Sequence, residues 1–147
     1  MKQELVKDWM TENVITIGAK TALPKAHKLM TRNNIRRLPV VNKNDQLVGI
    51  VTLADVRGAE PSQATSLSIW ELNYLLAKLQ VKKIMMKDPI TIAPTATIGE
   101  AARIMLDNKV SSLPVTDNAR QVIGIITESD IFRMVVRHEW DKETMPG

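Results

Sequence analysis

The sequence predicts an α+β fold made of two tandem copies of one β-α-β-β-α module. Three observations carry that expectation. The 147-residue chain repeats itself without a gap at an offset of 75 residues, so that Val6 aligns with Val81, Thr16 with Thr91 and Asp55 with Asp130. Both copies share V-K-x-x-M, I-T-I, A-x-x-x-M-x-x-N, L-P-V and Q-x-x-G-I-x-T-x-x-D, which identifies a duplicated module. Within each copy the apolar spacing moves from short β-type runs to a helical period and back.

Each element has its own cue. The I-T-I run opens the module as a short strand. An amphipathic helix follows. In the second copy Thr97 and Glu100 form a T-x-x-E capping box, with Ile98, Ala101, Ala102, Met105 and Leu106 as the apolar face. In the first copy Thr21 is the expected N-cap, Pro24 falls in the tolerant first turn, and Leu23, Ala26, Leu29 and Met30 give the face. Asn33–Asn34 and Asn108–Lys109 end these helices. Two strands come next, LPVV then LVGIVT, and LPV then VIGIIT, joined by polar turns at Asn42–Asp45 and Asp117–Arg120. A closing helix begins after Thr52 and after Thr127. Between the copies, Ala59–Ser66 reads as a polar connector with Pro61. Ser68 and Glu71 then cap a helix running to about Leu79, whose face of Ile69, Leu72, Leu76 and Leu79 is expected to pack against the sheets. The expected boundaries are therefore 5–60 for the first repeat, 61–80 for the connector and linker helix, 81–140 for the second repeat, and 141–147 for a flexible tail.

Composition narrows the function classes. Hydrophobic residues are 44% and charged residues 24%, as in an ordinary soluble domain, and no apolar run is long enough to span a bilayer. The first ten residues lack an apolar signal stretch, and a cytoplasmic setting is the default expectation. With no cysteine there are no disulfides, thiolate nucleophiles or cysteine metal sites. The net charge of +4 is spread thinly, without a basic tail, and aromatics are only 3%, too few for a base-stacking platform. Nucleic acid is therefore not the expected partner; a small anionic ligand fits better. The two histidines, His27 and His138, belong to no metal-ligand spacing and read as surface residues. No nucleophile–base set or carboxylate pair stands at catalytic spacing, so neither an enzyme nor a resident cofactor is expected.

The repeated pieces resemble a pair of CBS domains, sometimes called a Bateman module. The resemblance rests on V-K-x-x-M, the I-T-I strand, L-P-V and the G-h-h-T-x-x-D motif (h apolar), in register twice, and covers residues 5 to about 138. It implies two repeats packed as a pseudo-twofold pair around a linker helix, with no catalytic domain left over. It further implies a sensor that binds AMP, ADP or ATP in clefts between the repeats, with S-adenosylmethionine as a further candidate ligand, and that acts on a separate regulated protein. The alternative is a dimerising interaction module with empty clefts. The copies also differ: Val14 stands where the second has Pro89, and Arg36–Arg37 where it has Ser111–Ser112, so the two clefts should not bind equally.

A nucleotide presents a flat base, a vicinal diol and an anion. Gly49 and Gly124 would keep the cleft edge clear for close approach. Thr52 and Thr127 start helices, where outward N–H groups and the macrodipole favour an anion. Asp55 and Asp130 lie three residues on, and a carboxylate accepting two hydrogen bonds suits the ribose hydroxyls. The strand backbone around Thr16, Ile17, Thr91 and Ile92 would face adenine, with Ser112 and Pro114 of the second copy nearby. Arg36 and Arg37 offer forked, permanent cations to phosphate, the alternative being that both are solvated surface residues. T-x-x-D is equally a helix-capping arrangement, and the two roles are compatible. A homodimer is expected from Ile131–Val136, whose apolar residues point to more sides of one helix than a single core needs.

Overall fold

The computed structural model describes residues 3–60 and 68–144. In chain order the elements are α1 (Val6–Trp9), β1 (Ile17–Gly18), α2 (Leu23–Arg32), β2 (Arg37–Val41), β3 (Leu47–Thr52), α3 (Leu53–Ala59) and α4 (Ile69–Lys78). After a 3₁₀ turn at Val81–Lys83 come β4 (Met86–Lys87), α5 (Ile98–Asn108), β5 (Ser112–Thr116), β6 (Val122–Thr127) and α6 (Glu128–Thr144). This is the predicted α+β module twice, with the opening I-T-I strand of the second copy reduced to a single bridge at Ile92. Residues with left-handed φ mark the duplication in the backbone: Asn13 and Asp88, Asn34 and Lys109, Asp45 and Arg120, each pair at the sequence offset. These include a residue just past the end of each first helix, Asn34 after the Asn33 C-cap and Lys109 as the C-cap itself, and the tip of each hairpin. Asn42 and Asp117 build the same turn, their Oδ1 accepting from the N–H groups two and four residues on.

The fold divides into two units that cut across the sequence repeats. One comprises residues 15–89, the other residues 1–14 with 90–147. In each unit the body of one repeat is completed by the V-K-x-x-M head of the other. In the first unit, the Val81 N–H donates to Thr21 O and the Lys82 N–H to Ala19 O, both at 2.9 Å. In the second, the Val6 N–H donates to Ala96 O and the Lys7 N–H to Pro94 O, also at 2.9 Å. Val81 and Val6 are fully buried in their respective cores. Head exchange gives V-K-x-x-M its physical reason: valine is a core residue, lysine stays in water, and methionine reaches the sheet.

The first unit holds a four-stranded sheet ordered β1-β2-β3-β4, with β1 parallel to β2 and the other pairs antiparallel. The second repeats it more sparsely. β5 and β6 pair antiparallel, flanked by single bridges from Ile92 to Val115 and from Thr11 to Ile125. Pro39 lies in β2 just short of the residues that β1 reaches, Val40 and Val41, so its missing N–H breaks no ladder bond.

Four expectations change. Ala22, not Thr21, is the N-cap of α2, and no side chain caps it; Pro24 at the second position compensates for one orphan donor. Leu106 is 79% exposed, because it lies past the edge of the α5 stripe that Ile98, Ala101 and Met105 bury. The linker helix does begin at Ser68, whose Oγ accepts from the Glu71 N–H. Of its expected face, Ile69 is exposed, Leu72 is half-buried and Leu79, just past the helix, packs against the core of the first unit, while the Leu76 side chain lies outside the described residues; the helix touches mainly α2 and also exposes Trp70, Tyr74 and Leu75. Finally, α6 continues through Thr144 where a tail from 141 is expected, since no helix breaker occurs before Pro146. Most of the polar connector, residues 61–67, lies outside the described residues.

Candidate functional site

The candidate site is the junction of the closing hairpin and its helix. In the first unit β2 and β3 set Arg37 opposite Thr52, and in the second β5 and β6 set Ser112 opposite Thr127. The chain then turns into a helix. The Leu53 N–H donates to Arg36 O at 2.8 Å, and the Glu128 N–H to Ser111 O at 3.0 Å, so the residues before L-P-V are tied to the helix start in both units.

T-x-x-D forms the capping box. The Asp55 N–H donates to Thr52 Oγ1 at 3.1 Å and the Thr52 N–H to Asp55 Oδ2 at 3.3 Å. In the second unit the Thr127 N–H and hydroxyl donate to Asp130 Oδ2 at 2.9 and 3.1 Å. Capping is therefore a real role of both aspartates. It also uses helix amides that could otherwise meet an anion: those of Leu53 and Asp55 already have partners, so the positive charge at this site is carried by side chains. Asp55 is exposed, whereas Asp130 is buried.

A pocket of about 290 Å³ opens at this junction in the first unit, lined by Arg36, Arg37, Thr52, Leu53, Ala54 and Arg57. Arg36 and Arg37 thus belong with Thr52. Arg57, which is not among the expected residues, joins them; its place one turn after Leu53 on the seven-residue α3 is the signal in the sequence. Three arginines lining one pocket make an anion-favouring concavity. The positions equivalent to the arginines are Ser111, Ser112 and Phe132, and Glu128 replaces Leu53, so the second unit lacks these three cations.

The remaining expected residues separate. Gly49 and Gly124 do not open onto free space. A Cβ on Gly49 would meet Met85 Sδ at 2.7 Å and Met86 O at 3.0 Å; one on Gly124 would meet Met10 Sδ at 2.5 Å and Thr11 O at 3.0 Å. Both glycines make room for the exchanged head segments. Ile17 and Ile92 are core residues. The backbone of Ile92 is committed to β5, its N–H donating to Pro114 O and its carbonyl accepting from Thr116, each at 3.1 Å. Pro114 is buried, with its carbonyl taken by that bond. Ser112 is also buried, while Thr16 is exposed and Thr91 half-buried. Among the described residues there is no cluster of three metal-ligating side chains, and no helix is long and apolar enough to cross a membrane. Each histidine has a carboxylate partner: His27 Nδ1 lies 2.5 Å from Glu60 Oε1, and His138 Nε2 lies 2.7 Å from Glu4 Oε1.

Within the second unit, α6 presents Phe132, Val135 and Val136 to solvent while Ile131 and Met134 pack on the core. Phe132 and Val136 line an open pocket of about 540 Å³ with Ser129, Arg133 and Arg137.

The comparisons with known proteins agree with this layout. The family model described as "CBS domain" matches residues 6–62 and again 81–137. A CBS domain-containing protein of Dictyostelium discoideum is 35% identical over 133 residues, covering 90% of this chain and 92% of that one. Inosine-5'-monophosphate dehydrogenase of Korarchaeum cryptofilum is 36% identical over 126 residues, but that match takes in 86% of this chain and only 23% of the enzyme. Among solved structures, the CBS domain pair of protein MJ0100, in complex with 5'-methylthioadenosine and S-adenosyl-L-methionine, superposes with a TM-score of 0.78 at 28% identity, covering 93% of this chain and 99% of that one. CBSX2 in complex with AMP gives a TM-score of 0.76 at 27% identity over 92% and 98% of the two chains; CBSX2 is a CBS-pair protein of Arabidopsis thaliana.

Proposed function

The chain belongs to the CBS-domain family, as a tandem pair, and on that premise we propose that it is a non-catalytic sensor of adenosine-containing ligands. AMP, ADP and ATP are the leading ligands and S-adenosylmethionine the next. The observation that carries the reading is the arginine pocket beside the T-x-x-D turn of the first unit. Its arginines suit phosphate, and Asp55, next in sequence to the lining residue Ala54, offers an exposed carboxylate for the diol. Solved CBS pairs that hold AMP, S-adenosylmethionine or 5'-methylthioadenosine support the ligand class.

The same proposal includes self-association. Phe132 and Val136 are 64% and 67% exposed on one helix, more apolar surface than a lone α6 needs, and a second copy would cover it. The signal would then pass to a separate regulated protein in a cytoplasmic setting. Thermal-shift measurements with AMP, ADP, ATP and S-adenosylmethionine test the reading. Stabilisation by at least one ligand supports it, and no shift with any of them at millimolar concentration would reject it.

A further inference from the structure

The two T-x-x-D sites differ at a position that lies outside the shared motifs. In the second unit Arg133 Nη1 donates to Asp130 Oδ1 at 2.6 Å. The other oxygen, Oδ2, already accepts from the Thr127 N–H and hydroxyl. Both oxygens of Asp130 are engaged, and the residue is only 4% exposed. In the first unit the equivalent of Arg133 is Gly58, and Asp55 stays exposed.

Resting on the reading of these aspartates as ribose acceptors, we propose that Arg133 is a latch that keeps the Asp130 carboxylate closed to a ribose diol. The second site then accepts an adenosine ligand only when the guanidinium leaves. A neutral hydroxyl is a weaker donor to carboxylate than a guanidinium, so the ligand must displace the stronger partner. The exit is open: the Arg133 side chain is 67% exposed, against 5% for Asp130, so water can receive the freed cation. The first site carries no such contact and fills first. One residue thereby sets the order of occupancy, separately from the phosphate preference created by Arg36, Arg37 and Arg57.

The difference can be moved between sites. Adenosine is the probe, because it has the diol but no phosphate for the arginine pocket to read. In an Asp55→Ala background, which weakens the first site, Arg133→Met should raise adenosine affinity by about three- to tenfold in calorimetry, the range for a partly exposed ion pair with charge-assisted geometry. In an Asp130→Ala background, Gly58→Arg should build the latch on Asp55 and lower affinity by a similar factor. A Cβ at Gly58 meets nothing within 4 Å, so that variant should fold, and losing a helix glycine should hold or raise its melting temperature. Unchanged or weaker binding in Arg133→Met, or unchanged binding in Gly58→Arg, would overturn the latch while leaving the sensor reading intact if wild type still takes AMP. Absence of binding by both AMP and adenosine in wild type and every variant would overturn the sensor reading, and the latch with it.

Discussion

Replacing Arg36 and Arg37 by serine writes the second copy's residues into the first unit, and it should erase most of that site's preference for a charged ligand. The magnitude follows from where the arginines sit. Both line the pocket at Thr52, but the pocket is open and Arg36 is exposed. A desolvated charge-assisted bond contributes about 1.5–3 kcal/mol and an exposed ion pair about 0.2–1 kcal/mol, so roughly 1 kcal/mol per arginine is appropriate here. Two arginines then give about 2 kcal/mol, or a factor of about 30 in the ratio of AMP to adenosine affinity. Arg57 remains and should preserve a small residual preference. The assay is calorimetry with both ligands in an Asp130→Ala background, so that one site is read. Adenosine affinity should stay within about twofold while AMP affinity falls. Added salt should also narrow the wild-type ratio, because exposed charges are screened. A ratio that survives the double substitution would place both arginines in solvent and refute the pocket as the phosphate end.

Asp55→Ala should weaken AMP binding by roughly ten- to a hundredfold and cost folding only about 1 kcal/mol from the lost capping box, measured by calorimetry and urea melts. A loss of stability with no loss of affinity would mean that capping is its whole role. Gly124→Ala should destabilise by about 1–3 kcal/mol in urea unfolding, because the new Cβ overlaps Met10 Sδ and crowds Thr11 O; trimming Met10 to alanine as well should recover part of that, and purely additive effects would contradict the contact. Val6→Ala and Val81→Ala should each cost about 2 kcal/mol, since both valines are fully buried in the exchanged heads; a neutral result at either would argue against head exchange. Phe132→Glu with Val136→Glu should give a monomer by light scattering at micromolar concentration, where wild type is expected to be a dimer.

Much of the fold was legible because duplication reads the same structure twice. The strand pair, the capping boxes at Thr52 and Thr97, and the hairpin tips at Asp45 and Arg120 all follow from local chemistry that recurs at one offset. Head exchange was not legible. V-K-x-x-M is identical in both copies, so nothing local says whether Val6 completes its own repeat or the other. The head contact at Gly49 and Gly124 is hidden for the same reason: it comes from methionines about 36 positions later and 114 earlier in the chain. The α4 face is covered only in part, with Ile69 exposed and Leu72 and Leu79 half-buried, because a helical period shows an apolar face without showing what covers it. Arg36 and Arg37 could be named but not assigned to a site until cross-strand register set Arg37 opposite Thr52. Arg133 was visible at the i,i+3 spacing from Asp130, yet its effect depends on the burial of that carboxylate, which spacing does not report.

The central claim is that the T-x-x-D turns hold an adenosine ligand through its diol. Calorimetric titration of the full chain with AMP and with 2',3'-dideoxy-AMP tests it most directly, because the analogue removes the diol and leaves the protein intact. Saturable AMP binding, weakened at least tenfold in the analogue and also in the Asp55→Ala, Asp130→Ala double variant, is the predicted result. Equal affinity for the two nucleotides, or unaltered AMP binding in the double variant, would contradict it and leave the repeated aspartates as helix caps alone.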